Sequence, residues 1–133
     1  MSQPFIHFGT FRIKEGKFED LASSYRKVVE TVEEHEPRMI AFHGFVNEER
    51  TEMTVIQVHP DTASMDFHVQ VLRDKLGEQV ARALGPELIE LKRSEYYGEP
   101  SESALEMDRQ IPGVAVNVKP VHVAGFTRPA QVV

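Results

Sequence analysis

One histidine of this chain is predicted to lie where a helix could present it to a pocket. His68 falls in a segment with helical periodicity, at the border between the apolar and the polar face. A histidine with a near-neutral pKa can act as a base toward a phenol or an acidic carbon. A histidine that is merely hydrogen-bonded at the edge of a helix is the alternative. His68 is therefore a candidate catalytic base.

Tyr25 is a second candidate catalytic residue. It lies on the apolar face of the first predicted helix, where its hydroxyl group needs a hydrogen-bond partner. A bound ligand could supply that partner, and the backbone or a water molecule is the more ordinary alternative.

Three further histidines, His7, His43 and His59, occupy three separate predicted strands. Imidazoles that converge from adjacent strands could bind a divalent metal, but no Asp or Glu accompanies them inside a strand, so no metal site is expected. They are instead candidates to line a ligand pocket or a subunit interface. Whether His43 and His59 share a face of the sheet depends on the loop between their strands. Two or four loop residues place them on opposite faces, and three or five place them on the same face.

Arg93, Tyr96 and Tyr97 lie close together at the expected end of the fourth strand. They could close the mouth of a cavity or bind an anionic ligand, so Arg93 and Tyr96 are candidate ligand-binding residues. An ordinary strand end at the surface is the simpler interpretation.

Two amphipathic helices are predicted to position these residues. The first runs from Phe18 to about Glu34 and ends before Pro37, with the acidic run of residues 33–36 as a solvated end. The second runs from about Ala63 to Ala83, with a possible break at Gly77. Pro60-Asp61 should stop the preceding strand, and Asp61 or Thr62 should cap this helix.

The strands complete a β-α-β-β-α-β order, which is the ferredoxin-like plan of an antiparallel sheet with two helices on one face. They are predicted at residues 5–13, 39–46, 53–59 and 87–94. Two helices cannot cover all the apolar side chains of such a sheet. A second subunit against the open face would cover the rest. The side chains concerned are Phe5, Phe8, Phe11, Phe42, Phe45 and Val46.

Two regions are expected along the chain. Residues 1–98 form the ferredoxin-like domain, and residues 99–133 form an extension that packs on the same domain or on a partner. The extension begins with an acidic linker or short irregular helix over residues 99–110. A strand over 114–119 follows, and residues 121–126 could continue it as an edge strand.

The composition excludes several classes of function. The chain has 133 residues, no cysteine and a net charge of −6. It can therefore have neither a disulfide framework nor a thiolate zinc site, and its acidity argues against binding to nucleic acid. No apolar stretch is long enough to span a membrane, and no signal peptide is recognised. A cytoplasmic location is expected.

Several segments resemble the antibiotic-biosynthesis-monooxygenase-like (ABM) proteins of the dimeric α+β barrel group. Gly9-Thr10-Phe11-Arg12-Ile13-Lys14-Glu15-Gly16-Lys17-Phe18-Glu19-Asp20-Leu21 is similar to their opening strand, glycine turn and first helix. The third strand, the turn at Pro60-Asp61 and the second helix are similar as well, so the resemblance covers residues 5–95. It matches His68 to a histidine that these proteins often carry in the second helix, and it implies a homodimer whose sheets face each other.

The resemblance also implies an activity, namely a cofactor-independent monooxygenase acting on an aromatic or small apolar substrate held between the helices and the sheet. Haem degradation is not expected, because the haem-degrading members use an Asn, Trp and His set and this chain has no tryptophan. A non-catalytic dimer that binds a small hydrophobic molecule is one alternative. A module whose sheet serves only assembly is another.

Overall fold

The computed structural model describes residues 3–83 and 85–128, without the side chains of residues 79 and 81–83. The elements are β1 (Phe5–Ile13), α1 (Phe18–His35), β2 (Ala41–Val46), β3 (Glu52–His59), α2 (Thr62–Ala83), β4 (Ile89–Tyr97), α3 (Glu102–Arg109) and β5 (Ala115–Lys119). The strands form one sheet in the order β2-β3-β1-β4-β5. The first four pair antiparallel, and β5 pairs parallel to β4. The fold is α+β and ferredoxin-like, as predicted, with a mixed sheet.

Helices α1 and α2 pack against each other and against one face of the sheet, called here the helix face. Gly16, with φ of +77°, makes the turn that leads into α1. Asp61 caps α2, because its Oδ1 accepts the Ser64 backbone N–H at 3.0 Å. Helix α2 passes through Gly77 without the predicted break.

The alternation along the strands divides the large apolar residues between two faces. On β1, Phe5 and Ile13 are buried beneath the helices, and Phe11 packs beside them. Phe8 and Phe45 lie on the opposite face, called here the open face, where no helix covers them. Phe45 is 62% exposed.

The C-terminal third differs from the prediction. Strand β4 extends to Tyr97, so Tyr96 and Tyr97 lie within the strand and not beyond its end. Helix α3 is a regular helix capped by the Ser101 hydroxyl, and its Ala104 is buried against Phe5 and Tyr96. Residues 120–128 form neither a helix nor a strand, so the predicted strand over 121–126 is absent. Residues 129–133 lie outside the described residues.

In the part of the chain that the structure describes, no helix combines the length and the apolar character needed to cross a membrane.

Candidate functional site

A small cavity lies between α1, α2 and the helix face of the sheet. Its volume is about 90 Å³ and its walls are mostly apolar. Within the described side chains, neither a Lys or Arg nor an Asp or Glu lines it. Four polar residues of this described set reach its wall, and they are groups that could orient a ligand. They are His7 from β1, Tyr25 from α1, Gln57 from β3 and His68 from α2.

His68 forms a buried pair with Glu36 beside this cavity. The imidazole Nδ1 lies 2.8 Å from Glu36 Oε2, and both side chains are 2% exposed. A carboxylate accepts hydrogen bonds, so Nδ1–H donates to it and Nε2 becomes the basic nitrogen of the ring. The pair can therefore remove a proton from a bound molecule, with Glu36 stabilising the imidazolium that forms. The predicted candidate base lies at the cavity, although it is buried and not at a solvent border.

The interpretation of Glu36 as part of a solvated helix end is wrong. Glu36 is the C-cap of α1, and its backbone N–H donates to the Val32 carbonyl group at 2.9 Å. The chain turns here ahead of Pro37, and this turn directs the carboxylate inward to α2. Its second oxygen, Oε1, is buried without a partner among the described residues. A buried carboxylate with a free acceptor position is costly unless a proton or a ligand group reaches it.

His59 is fully buried next to this pair. Its ring centroid lies 5.9 Å from that of His68. Its Nε2–H donates to Gln57 Oε1 at 3.0 Å, and its Nδ1 accepts the Ser64 hydroxyl at 2.8 Å. Burial lowers the pKa of His59 to about 4, and the neighbouring His68 adds to this effect. His59 is thus a neutral support that orients Gln57, and it does not itself line the cavity.

Tyr25 projects from α1 into the cavity, as predicted for a residue on the buried face. Its hydroxyl group is buried and has no partner among the described residues. Burial raises the pKa of this phenol, so it remains protonated and can donate a hydrogen bond. Gly44 on β2 allows the ring to sit there, because a Cβ at Gly44 would lie 3.1 Å from the Tyr25 ring and 2.5 Å from Met53 Cε.

His7 lines the cavity, and Tyr96, which is not among its lining residues, packs against the His7 ring. Their ring centroids are 4.6 Å apart, and His7 Nε2 lies 2.7 Å from Ser94 Oγ. The other nitrogen of His7, Nδ1, is buried without a partner among the described residues. Burial lowers the pKa of His7 to about 4, partly offset by Asp108, so the ring is neutral at pH 7.

His43 and Arg93 are not brought to the cavity. His43 pairs with Ile56, and six residues separate the last paired positions, Val46 and Met53. This even number places His43 on the open face and His59 on the helix face. Arg93 also lies on the open face, where its guanidinium group donates to Glu95 at 3.1 Å.

Sequence reasoning did not identify Glu36, Gln57 or Ser94 as functional candidates. For Gln57 the sequence did offer a signal. Val55, Gln57 and His59 are two positions apart and share one face of a strand, so a polar amide lies on the same face as an apolar residue. For Glu36 and Ser94 the sequence offers no comparable signal. Within residues 3–83 and 85–128, no group of three or more His, Asp or Glu is placed to hold a metal ion.

The sequence matches no protein-family model, and no curated protein matches it significantly. Solved structures do match. MupZ from Pseudomonas fluorescens superposes with a TM-score of 0.70 over 98% of this chain and 99% of its own, at 18% identity. SnoaB, a cofactor-independent oxygenase from Streptomyces nogalater, gives 0.58 over 75% and 96%, at 9% identity. A candidate antibiotic biosynthesis monooxygenase from Chloroflexus aurantiacus gives 0.55 over 71% and 90%, at 12% identity.

These identities are low, so the likeness concerns the course of the backbone and not the chemistry of the site. It agrees with the resemblance seen in the strand–turn–helix segment of residues 9–21 and in the α2 region. The chain therefore has the fold of the antibiotic-biosynthesis-monooxygenase-like proteins.

Proposed function

We propose that the cavity is the active site of a cofactor-independent monooxygenase acting on a small, mostly apolar substrate that carries an acidic proton. The observation that supports this most is the buried Glu36–His68 pair beside an apolar cavity. Burying a carboxylate and an imidazole together contributes little net stability, because desolvation offsets their attraction. The pair therefore adds little to stability, and its Nε2 can contact a ligand. These two properties suit a general base.

The chemistry begins when His68 Nε2 removes a proton from the substrate and Tyr25 donates a hydrogen bond to the developing oxyanion. The carbanion or phenolate that forms is electron-rich and can reduce molecular oxygen. One oxygen atom then enters the product and the other leaves as water, so a CH₂ group and O₂ become a C=O group and H₂O. Neither an organic cofactor nor a metal ion is needed for this balance.

The size of the cavity limits the substrate. At about 90 Å³ it is smaller than an engineered cavity of about 150 Å³ that accepts benzene. A substrate smaller than benzene therefore fits best, and an aromatic molecule needs Phe42 or Leu72 in the wall to move.

Oxygen consumption with small enolisable ketones tests this proposal. The His68→Gln variant should lose at least 100-fold in rate, since general-base catalysis contributes about 10²–10⁴-fold. His35→Gln is the matched control, because the His35 side chain is 37% exposed at the end of α1 and does not line the cavity. Equal rates for the wild-type protein and His68→Gln would contradict the assigned role.

A non-catalytic protein that binds a small hydrophobic molecule is the second candidate function. The small volume favours it, because most ligand sites of enzymes measure about 300–1,000 Å³. The two alternatives differ in one measurement. A compound that raises the melting temperature but is not turned over, with or without oxygen, supports binding alone.

We also propose a homodimer through the open face, with residues 1–98 as the ABM-type domain and residues 99–133 as its extension. Phe45 supports this, since it is 62% exposed on a face where Phe8 and Ile56 also lack a covering helix. Phe45→Lys should convert a dimer to a monomer in light-scattering measurements. Glu49→Gln in the nearby loop changes the net charge by the same +1 and should remain dimeric. A wild-type monomer would contradict the proposal.

A further inference from the structure

The polar groups around His7 leave one atom without a partner. His7 Nε2 is engaged by Ser94 Oγ at 2.7 Å, whereas Nδ1 is buried and unpartnered among the described residues. A neutral imidazole has one donor and one acceptor nitrogen. If Nε2–H donates to Ser94, Nδ1 is an acceptor without a partner. If Ser94 donates to Nε2, then Nδ1–H is a donor without a partner. A buried polar group without a partner is costly in either case, so a ligand atom that bonds to Nδ1 would remove this cost.

Tyr96 packs against the His7 ring and is itself supported by α3. Tyr96 is buried, and its ring stacks on His7 at 33° between planes. The Tyr96 hydroxyl donates to a carboxylate oxygen of Asp108 and lies 3.5 Å from the Ala104 carbonyl oxygen. Burial, with Asp108, raises the pKa of Tyr96, so the phenol stays a donor. Helix α3 therefore fixes the orientation of the Tyr96 ring, which packs against His7.

The residues that line the rest of the cavity determine which ligand charge it can accept. Among the side chains that the structure describes, no Lys or Arg lines the cavity, and none of them compensates the charge of a carboxylate or a phosphate group. Tyr25 on α1 supplies a second polar atom at the cavity that is buried without a partner among the described residues, its hydroxyl oxygen. A ligand that satisfies both positions is neutral and carries oxygen on an otherwise apolar body.

We propose that the substrate is a neutral hydroxyl-bearing molecule whose hydroxyl group is anchored by His7 Nδ1, with Tyr96 and Asp108 acting as positioning residues for His7. A hydroxyl both donates and accepts, so it fits either tautomer of His7, whereas a ketone oxygen fits only one. This inference rests on the proposed function because it concerns the same cavity. It specifies the class of substrate that this cavity binds.

Three small probes of equal heavy-atom count test it, and NMR titration of the protein measures their binding. Hydroxyacetone carries the hydroxyl group, 2-butanone replaces it by a methyl group, and propionate carries a charge. In the wild-type protein hydroxyacetone should bind about fivefold more tightly than butanone, the ratio expected for one net hydrogen bond. Propionate should bind more weakly than either. Equal affinity for hydroxyacetone and butanone, or no binding of either, would overturn the inference.

Two variants test whether His7 causes the preference for hydroxyacetone over butanone. His7→Phe should bind both neutral probes equally, and retained butanone binding shows that the variant is folded. Asp108→Asn, at a partly exposed position on α3, keeps His7 but weakens the support of Tyr96. It should lower the hydroxyl preference without abolishing butanone binding. A full preference in His7→Phe would overturn the inference.

The outcomes separate this inference from the proposed function. A hydroxyl preference without oxygen consumption removes only the oxygenase function. Oxygen consumption by a protein that binds hydroxyacetone and butanone equally removes only the role of His7.

Discussion

Acid should destabilise this protein through His59. The side chain is fully buried, and both of its ring nitrogens are engaged by neutral partners, Gln57 and Ser64. Burial lowers its pKa from 6.5 to about 4. Between these two values the unfolded chain binds a proton that the folded protein does not bind. Stability is therefore greatest above pH 6.5 and is lost as the pH falls from 6.5 toward 4.

The magnitude follows from the two pKa values. At pH 7.5 the ring is neutral in both states and contributes almost nothing to the pH dependence. At pH 5.0 the unfolded state is protonated and the folded state mostly is not. This difference lowers the free energy of unfolding by about 2 kcal/mol. His7, whose pKa is also lowered to about 4, should add a loss of the same sign.

Urea unfolding at five pH values between 7.5 and 5.0, at one protein concentration, measures this loss. The His59→Gln variant keeps an amide that can bond to the same neighbours, but it does not titrate. We expect its loss over this range to be about 2 kcal/mol smaller than that of the wild-type protein. His35→Gln, which removes a partly exposed histidine at the end of α1, should retain the wild-type loss.

Equal losses for the wild-type protein and His59→Gln would refute the reasoning. NMR titration of the His59 ring gives an independent measurement. A ring that protonates near pH 6.5 in the folded protein would show that its burial does not disfavour the charge.

Three further predictions concern residues in the cavity wall or in contact with it. Glu36→Ala leaves the His68 Nδ1–H without its acceptor and should lower the free energy of unfolding by about 3 kcal/mol in chemical denaturation. Tyr25→Phe removes a buried unpartnered hydroxyl, so it should raise apo stability by about 1 kcal/mol while weakening ligand binding in calorimetry. Gly44→Ala places a methyl group against the Tyr25 ring and should cost about 1–3 kcal/mol. Gly77→Ala, a control in open space, should instead stabilise α2 by about 0.5–1 kcal/mol. A destabilised Gly77→Ala or an unaffected Gly44→Ala would contradict this assignment.

The order of the elements follows from local patterns, which is why it was predictable. The apolar spacing of three and four over residues 18–34 is a property of one helix, and alternation over residues 53–59 is a property of one strand. The stop at Pro60 and the cap at Asp61 are equally local, and the Asp61 cap is present. The tail was less predictable, because whether residues 121–126 join a sheet depends on an edge elsewhere in the fold.

The roles of the candidate site residues stay predictions, and the structure gives only their positions. His68 and Tyr25, identified from their places on helix faces, both line the cavity. His7 lines it as well, while His43 lies on the other side of the sheet. A single sequence could not distinguish these two histidines, because the number of residues between the paired positions decides which way a side chain points.

By itself the sequence determined which segments form helices and strands, which side chains those elements bury, and which titratable groups they carry toward the core. Only the tertiary structure decided which of these groups meet. Glu36 and His68 are 32 positions apart, and His7 and Ser94 are 87 apart. Contacts between residues so far apart in the sequence depend on helix packing and strand register, and the spacing of neighbouring residues predicts neither.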